Sequence, residues 1–389
     1  MVEFELWWLL LIPFFFGLGW IAARIDIKHI ISETTDLPAS YFKGLNYILF
    51  QDYEKASECF SDAIRIKPDS LELHFILGNI FRKLGKIDQA INLHNKLLEQ
   101  KELTPQQIES VKAELMQDYF TAGFYDRCET ISTEILNEQY QEFKLKILLD
   151  ISIKQRNWES AIKYGKEVEQ NFGTSYRLQI SHFLCELALD KIIIEKKDQA
   201  IKHLEQALDI YKNSTRANII LGELEFEKQN YKSAIEIWKR IELQKPTEFI
   251  LIAAKFLECY EKLNKQNECL SFLSHLRESY GINQIDSVIF DFILQKEGPK
   301  NAEEFAKNNL IKKPSIEVLD QLFSSKSLSD DNDSDSDTKM IQQVIKNSIG
   351  TKLFHVCNHC GFKAKQHHWQ CPACNSWETI SSELKDISK

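Results

Sequence analysis

Glycine and proline are scarce in this chain, 13 and 8 of 389 residues. Strand-like alternation of apolar and polar residues is absent as well, which argues against a β architecture and for helices. Excess positive charge is also missing: 48 Lys and Arg face 57 Asp and Glu, a formal net charge of −9, and no basic stripe runs through the chain. Phosphate attraction is therefore weak, which argues against nucleic acid as a partner. The local basic spot of His355, Lys363, Lys365, His367 and His368 reads as a solvated face, its histidines mostly neutral at pH 7. No glycine-rich phosphate loop, no His-Glu-x-x-His pair and no nucleophile elbow occurs, so the enzyme classes built on them are excluded and no catalytic residues are assigned.

What is present begins with one long apolar run, Leu6 to Ala23, of 18 residues. That is near the lower limit for crossing the hydrocarbon core of a bilayer. Trp7, Trp8 and Trp20 stand near its two ends, where indole rings favour the interface. Pro13 removes one backbone donor, which a membrane helix absorbs with a modest kink. Glu3 and Glu5 precede the run, Arg24 and Lys28 follow it, and no Ala-x-Ala site is present, so the pattern fits an anchor and not a cleaved signal. Residues 1–26 are expected to be a single transmembrane helix, with the basic flank placing the bulk of the chain in the cytoplasm.

Residues 37–322 repeat with a period near 34, the length of a tetratricopeptide unit. The first copy shows Gly44, Tyr47, Ala56, Phe60, Ala63 and Pro68. Small residues let two antiparallel helices approach, large ones fill the gap between them, and proline stops the second helix. The register returns at Leu77, Gly78, Phe81 and Ala90, then at Leu148 and Ala161. It returns again at Leu187, Ala188, Ala200 and Ala207, and at Leu221, Gly222, Ala234, Trp238 and Pro246. A late copy reads Phe290, Ala302, Ala306 and Pro314; Cys128 marks a weaker third unit, and another weak one starts near Phe249, about eight in all. The fold class expected is all-α: a tetratricopeptide superhelical solenoid whose inner surface, built from the first helix of each pair, binds protein segments. On this register that surface includes Phe75, Asn79, Arg82, Lys83, Phe120, Lys146, Lys154, Arg216, Glu223 and Phe226, each read as a solvated side chain before a contact.

The tail carries Cys357-x-x-Cys360, ten further residues, then Cys371-x-x-Cys374. Two such knuckles bring four sulfurs onto one ion, and so short a module needs the metal for its folding. Zinc fits the spacing and the soft ligands, with iron as the alternative. Cys59, Cys128, Cys185, Cys259 and Cys269 are scattered over helical faces and read as small buried apolar residues. Between array and tail, residues 323–339 are polar and acidic and are expected to be a disordered tether. Residues 340–389 are expected to be a short helix and the metal-binding domain, with part of the surface of Leu353, Phe354, Phe362, Trp369 and Trp377 docking on the last repeats.

The layout of anchor, repeats and knuckle pair resembles the lipopolysaccharide assembly protein B family of Gram-negative bacteria. The segment Tyr41-Phe42-Lys43-Gly44-Leu45-Asn46-Tyr47-Ile48-Leu49 and the closing Cys371-Pro372-Ala373-Cys374 carry the resemblance most specifically. One departure is Asn375, where rubredoxin-type knuckles usually have glycine; asparagine tolerates the left-handed backbone nearly as well. The resemblance implies a rubredoxin-like zinc ribbon and a non-enzymatic adaptor at the bacterial inner membrane. It implies three partners: an FtsH-type membrane protease, the lipid A pathway deacetylase whose proteolysis is promoted, and a lipopolysaccharide-sensing inner-membrane protein that restrains the adaptor. A homo-oligomer stays open. The rival readings are an envelope-assembly scaffold with a different client and a rubredoxin-type electron carrier.

Overall fold

Helices form in this chain wherever an apolar stripe recurs, and they break at left-handed turns. The computed structural model describes residue 20 and residues 38–100, 103–312, 314–329 and 336–386. The expected anchor, residues 1–26, therefore lies outside the described residues except for Trp20, and no described helix is long and apolar enough to cross a membrane.

Among the described residues, eight helical pairs succeed one another. They are α1 (Ala39–Leu49) with α2 (Tyr53–Ile66), α3 (Leu71–Lys83) with α4 (Ile87–Leu98), and α5 (Pro105–Ala122) with α6 (Tyr125–Ser132). Then come α7 (Gln141–Lys154) with α8 (Trp158–Phe172), α9 (Arg177–Ile193) with α10 (Lys197–Ile210), and α11 (Thr215–Glu227) with α12 (Tyr231–Gln244). The last two are α13 (Ala253–Lys262) with α14 (Gln266–Tyr280) and α15 (Ile285–Lys296) with α16 (Pro299–Lys312). The chain divides into two compact units between Ile151 and Ser152.

Two devices repeat through both units. The turn inside each pair holds one residue at positive φ: Gln51, Gly85, Gly123, Arg156, Glu195, Gln229, Asn264 and Gly298. Only three of these are glycine, so the rule was hidden from a reading that looks for glycine at turns. Of the other five, Gln51, Arg156, Glu195 and Gln229 carry the left-handed strain of an L-residue, roughly 1–2 kcal/mol each, whereas Asn264 tolerates the conformation. The second device is a small residue early in each second helix. Ala56, Ala90, Cys128, Ala161, Ala200, Ala234, Cys269 and Ala302 are all 0% exposed, because the partner helix passes directly over them. Where the first helix contributes glycine, the approach is closer still. A Cβ on Gly222 would stand 2.2 Å from the Trp238 indole nitrogen, and one on Gly44 2.7 Å from the Phe60 ring. The large ring of the second helix thus fills the space that a side chain on the first would need.

α17 (Ile316–Ser329) and α18 (Ser336–Lys352) follow the pairs. This corrects the expectation of an extended tether over residues 323–339: both ends of that stretch are helical, and residues 330–335 lie outside the described residues. The physical reason lies in α17. Val318 is buried and Leu322 packs against the core around Phe290, Ala302 and Ala306, so the helix is nucleated by packing and propagates through the serines. Ser325 and Ser327 turn their hydroxyls back onto the carbonyls of Leu322 and Phe323 at 2.9 Å, which satisfies the hydroxyls within the helix without adding to its stability. α18 returns beside it, with Gln342 Nε2 donating to Ser324 Oγ at 3.0 Å.

The tail closes with a three-stranded antiparallel sheet in the order β2–β1–β3, where β1 is Leu353–Val356, β2 Lys363–Ala364 and β3 Lys385–Asp386. In register, His355 faces Ala364 and Phe354 faces Lys385.

Candidate metal centre and its dock on the repeats

The two knuckles are near copies of each other. Cys357 accepts at its carbonyl from Gly361 N–H at 3.0 Å, and Cys371 from Asn375 N–H at 2.8 Å. Cys357 N–H donates to Phe362 O at 2.8 Å, and Cys371 N–H to Ser376 O at 2.9 Å. Gly361 has φ 76° and Asn375 φ 57°, so asparagine holds the left-handed corner that glycine holds in the first knuckle.

The structure brings Cys357, Cys360, Cys371 and Cys374 together, their Sγ atoms all within 4.8 Å of one another. Cys357 and Cys374 are 3.8 Å apart at sulfur, Cys360 and Cys371 3.7 Å. Four sulfurs held tetrahedrally at about 2.3 Å from one ion would be about 3.8 Å apart, so the cage fits a metal of that size. Ionisation is unevenly shared inside it. Hydrogen bonds from Ser376 bring Cys374 down to about 5. The Phe362 amide favours the Cys360 thiolate, yet burial and its three sulfur neighbours push Cys360 up to about 12. A divalent cation at the centre would hold all four as thiolates. The cysteines of the repeats have no such role: burial pushes Cys128, Cys185, Cys259 and Cys269 each up to about 12, so they stay neutral packing groups.

The ribbon does not stand free. The second knuckle ends in a bridge between Gln370 and Trp377, which projects Trp369, Trp377 and Glu378 against α9, α11 and the turn after α12. The Trp377 indole stacks on the His182 imidazole, centroids 4.6 Å apart and planes 15° from parallel. It meets Phe183 and Trp158 edge-on, at 6.0 and 6.5 Å. Arg216 lies 5.7 Å from the Trp369 centroid and 5.8 Å from that of Trp377, and it is tied to Glu186 at 2.7 Å. A guanidinium between two indole faces, desolvated and paired, is a strong form of cation–π contact.

Glu378 completes the dock by accepting from His182 Nε2 at 3.0 Å and from Lys245 Nζ at 3.4 Å. Burial pushes its carboxyl up, but His182 and Lys245 outweigh that and keep it below the usual carboxylate range. Burial also lowers His182, with Glu378 opposing. The pair is therefore a neutral imidazole donating to a carboxylate.

Glu248 sits behind this network with 1% of its surface exposed; Lys245 pairs with its Oε1 at 2.5 Å, while its Oε2 has no partner among the described residues. Burial pushes its carboxyl up to about 7. A raised folded-state value means that the folded chain binds this proton more tightly than the unfolded one. The stability from Glu248 is thus fully present below its ordinary value of 4.5 and is lost as pH rises through about 7. His182 works in the other sense, its contribution present above 6.5 and lost as pH falls through its lowered value. Glu248→Gln removes only the first effect. Its melting temperature relative to the unaltered chain should rise steadily as pH goes from 4.5 to 7. A difference that does not change with pH would contradict the raised value.

Several expectations need correcting here. The tryptophans dock on middle pairs, through His182 and Arg216, where the indoles find aromatic and cationic partners, while the end of the tail reaches the last pair, with Gln284 Nε2 donating to the Leu384 carbonyl at 3.5 Å. Arg216 is 5% exposed and belongs to the dock, so it is not a solvated side chain. Arg82 is also held inside, bonded to Asp118 at 2.5 Å and Glu114 at 2.7 Å. Phe226 packs on Trp238 and Tyr231. Glu223 pairs with Lys255, and Lys146 with Glu142 at 2.6 Å. Phe75 and Phe120 sit half-buried beside His94 and Tyr125, while Asn79 and Lys83 remain exposed. His182, Lys245 and Glu248 were missed by sequence reading. The available signal was that His182 stands one repeat period before Arg216, at the same place in its pair.

Comparison with known proteins agrees with this architecture. Residues 355–382 match the family described as rubredoxin metal binding domain, and residues 37–70 match the tetratricopeptide repeat. The chain is 28% identical over 375 residues to lipopolysaccharide assembly protein B of Escherichia coli, covering 95% of this chain and 96% of that protein. It is 25% identical over 390 residues to the protein of the same name from Haemophilus influenzae, again covering 95% and 96%. The resemblance to lipopolysaccharide assembly protein B therefore extends through repeats and ribbon together.

Proposed function

We propose that this chain is a member of the lipopolysaccharide assembly protein B family and acts as a non-catalytic adaptor in the control of lipopolysaccharide synthesis. The observation that carries the reading is the end-to-end likeness to those relatives, 95% of this chain against 96% of theirs. The geometry supports a binding role. Eight helical pairs offer extended helix faces, and the one four-cysteine cluster among the described residues has its ribbon braced against the repeats. Zinc is the ion assigned to Cys357, Cys360, Cys371 and Cys374, since four thiolates leave no open coordination position and suit a structural site.

On this reading residues 1–26 hold the chain at the inner membrane with its bulk on the cytoplasmic side. The client is the deacetylase of the lipid A pathway, delivered to an FtsH-type protease in the same membrane, and a lipopolysaccharide-sensing membrane protein restrains the delivery. Confinement to the membrane raises the effective concentration of adaptor, protease and client without any new contact. Depleting the protein should lengthen the half-life of the deacetylase after synthesis is stopped. An unchanged half-life would leave a repeat scaffold with a different client.

A further inference from the structure

The first helix of the repeats buries one face and leaves a second apolar face uncovered. On the inner side Gly44 is buried beneath the Phe60 ring, and Tyr41, Leu45 and Ile48 pack against the core around Ala56, Leu73 and Leu77. On the outer side Phe42 is 57% exposed, Leu49 79% and Phe50 83%. Phe42 and Leu49 are two helical turns apart, so they share one side of α1. Asn46 lies between them, Phe50 continues the stripe one turn beyond Asn46, and Lys43 stands exposed beside Phe42. In a chain of net charge −9, the sequence of α1, ASYFKGLNYIL, contains no acidic residue and one lysine. Bulky apolar groups with a lysine and no carboxylate are the composition of a helix that lies in a lipid interface, where lysine keeps its charge at the headgroups.

Position along the chain points the same way. The apolar run ends at Ala23 and α1 begins at Ala39. Residues 24–38 can span no more than about 50 Å even when fully extended. A membrane held at residues 6–23 is thus always within reach of α1.

We propose that α1 rests on the membrane, with Phe42, Leu49 and Phe50 set into the interface of an anionic phospholipid bilayer and Lys43 at its headgroups. The proposal rests on the reading of residues 1–26 as an anchor. It gives the first repeat a second attachment, so that the repeats approach the bilayer in a set orientation instead of swinging on a tether.

The test uses the full chain in vesicles of phosphatidylethanolamine and phosphatidylglycerol. The photoreactive residue benzoylphenylalanine is placed at Phe42, at Phe50, or, as a control, at Leu243, which is 87% exposed on α12. After irradiation, mass spectrometry reads lipid adducts on the chain. The proposal expects adducts at Phe42 and Phe50 roughly tenfold above those at Leu243, and a loss of the Phe42 adduct when Leu49→Glu and Phe50→Glu are introduced. Adducts no higher than the control, or cross-links to a second copy of the chain in their place, overturn it. Alkaline carbonate extraction of the same vesicles separates the two readings. A chain that stays with the membrane but gives no adduct loses only the α1 contact, whereas a chain that is stripped off loses the anchor as well.

Discussion

Cys371→Ser leaves the chain without its bound metal and unfolds the ribbon; the repeats lose protection at the dock, around His182 and Arg216, and keep their helices elsewhere. The expectation follows from how little else holds the ribbon. Its buried cluster consists of Cys357, Cys371 and Ile380, with Phe362 and Cys374 partly buried against them. Two of the three buried members belong to the four-cysteine cage, so the core and the proposed metal site are the same object. Its strands add two- and four-residue segments, too short to fold alone. Structural zinc sites of this kind supply about 10–16 kcal/mol of apparent folding free energy, and a serine hydroxyl does not replace a thiolate on a soft ion. Metal analysis should fall from one ion per chain to nearly none, and amide exchange across residues 353–386 should become fast. Retained metal in the variant would mean that Cys371 is not a ligand.

The second large effect belongs to the dock. Trp377→Ala removes the indole that stacks on His182 at 4.6 Å and shares Arg216 with Trp369. Trp377 is half-buried, so its truncation costs less than the about 3–5 kcal/mol of a fully buried tryptophan. Here the loss falls on the contact between ribbon and repeats, because the indole's ring contacts are with Trp158, His182, Phe183 and Arg216, and it is not part of the buried cluster around the cage. Opening of the dock should become at least about tenfold more frequent, since 1.4 kcal/mol is a factor of ten. Amide exchange should speed up around His182 and Arg216 while metal content stays at one ion per chain. Unchanged protection at His182 would show that the tryptophan does not hold the ribbon in place.

These two sites differ in how far the sequence revealed them. The cage was legible because metal ligation imposes a fixed spacing on a rare residue, and even the substitution of Asn375 for glycine could be judged from backbone preference. The small residues of the second helices were legible where they are alanine, and Cys128 was recognised in that role. Cys269 was not, since it sits in a weak copy and a lone cysteine carries no register of its own. The left-handed turns at Arg156, Glu195 and Gln229 left no trace in composition, because tertiary packing imposes a conformation that those residues do not prefer. The dock was half legible. Too much apolar surface on Trp369 and Trp377 pointed to a partner, but which helices would receive it depends on contacts such as His182 to Glu378, nearly two hundred residues apart. The helical ends of the acidic stretch were misread because composition alone says nothing of a neighbour that can nucleate a helix.

The coupling of metal, ribbon and repeats into one structure within the second unit is the property expected of this arrangement. It is tested most directly by following amide exchange at residues 353–386 and at His182 and Arg216 while a chelator removes the metal from the intact chain. The account predicts that protection is lost in both places at the same chelator concentration, and that adding zinc restores both. Loss confined to the ribbon, with His182 and Arg216 still protected, would contradict it.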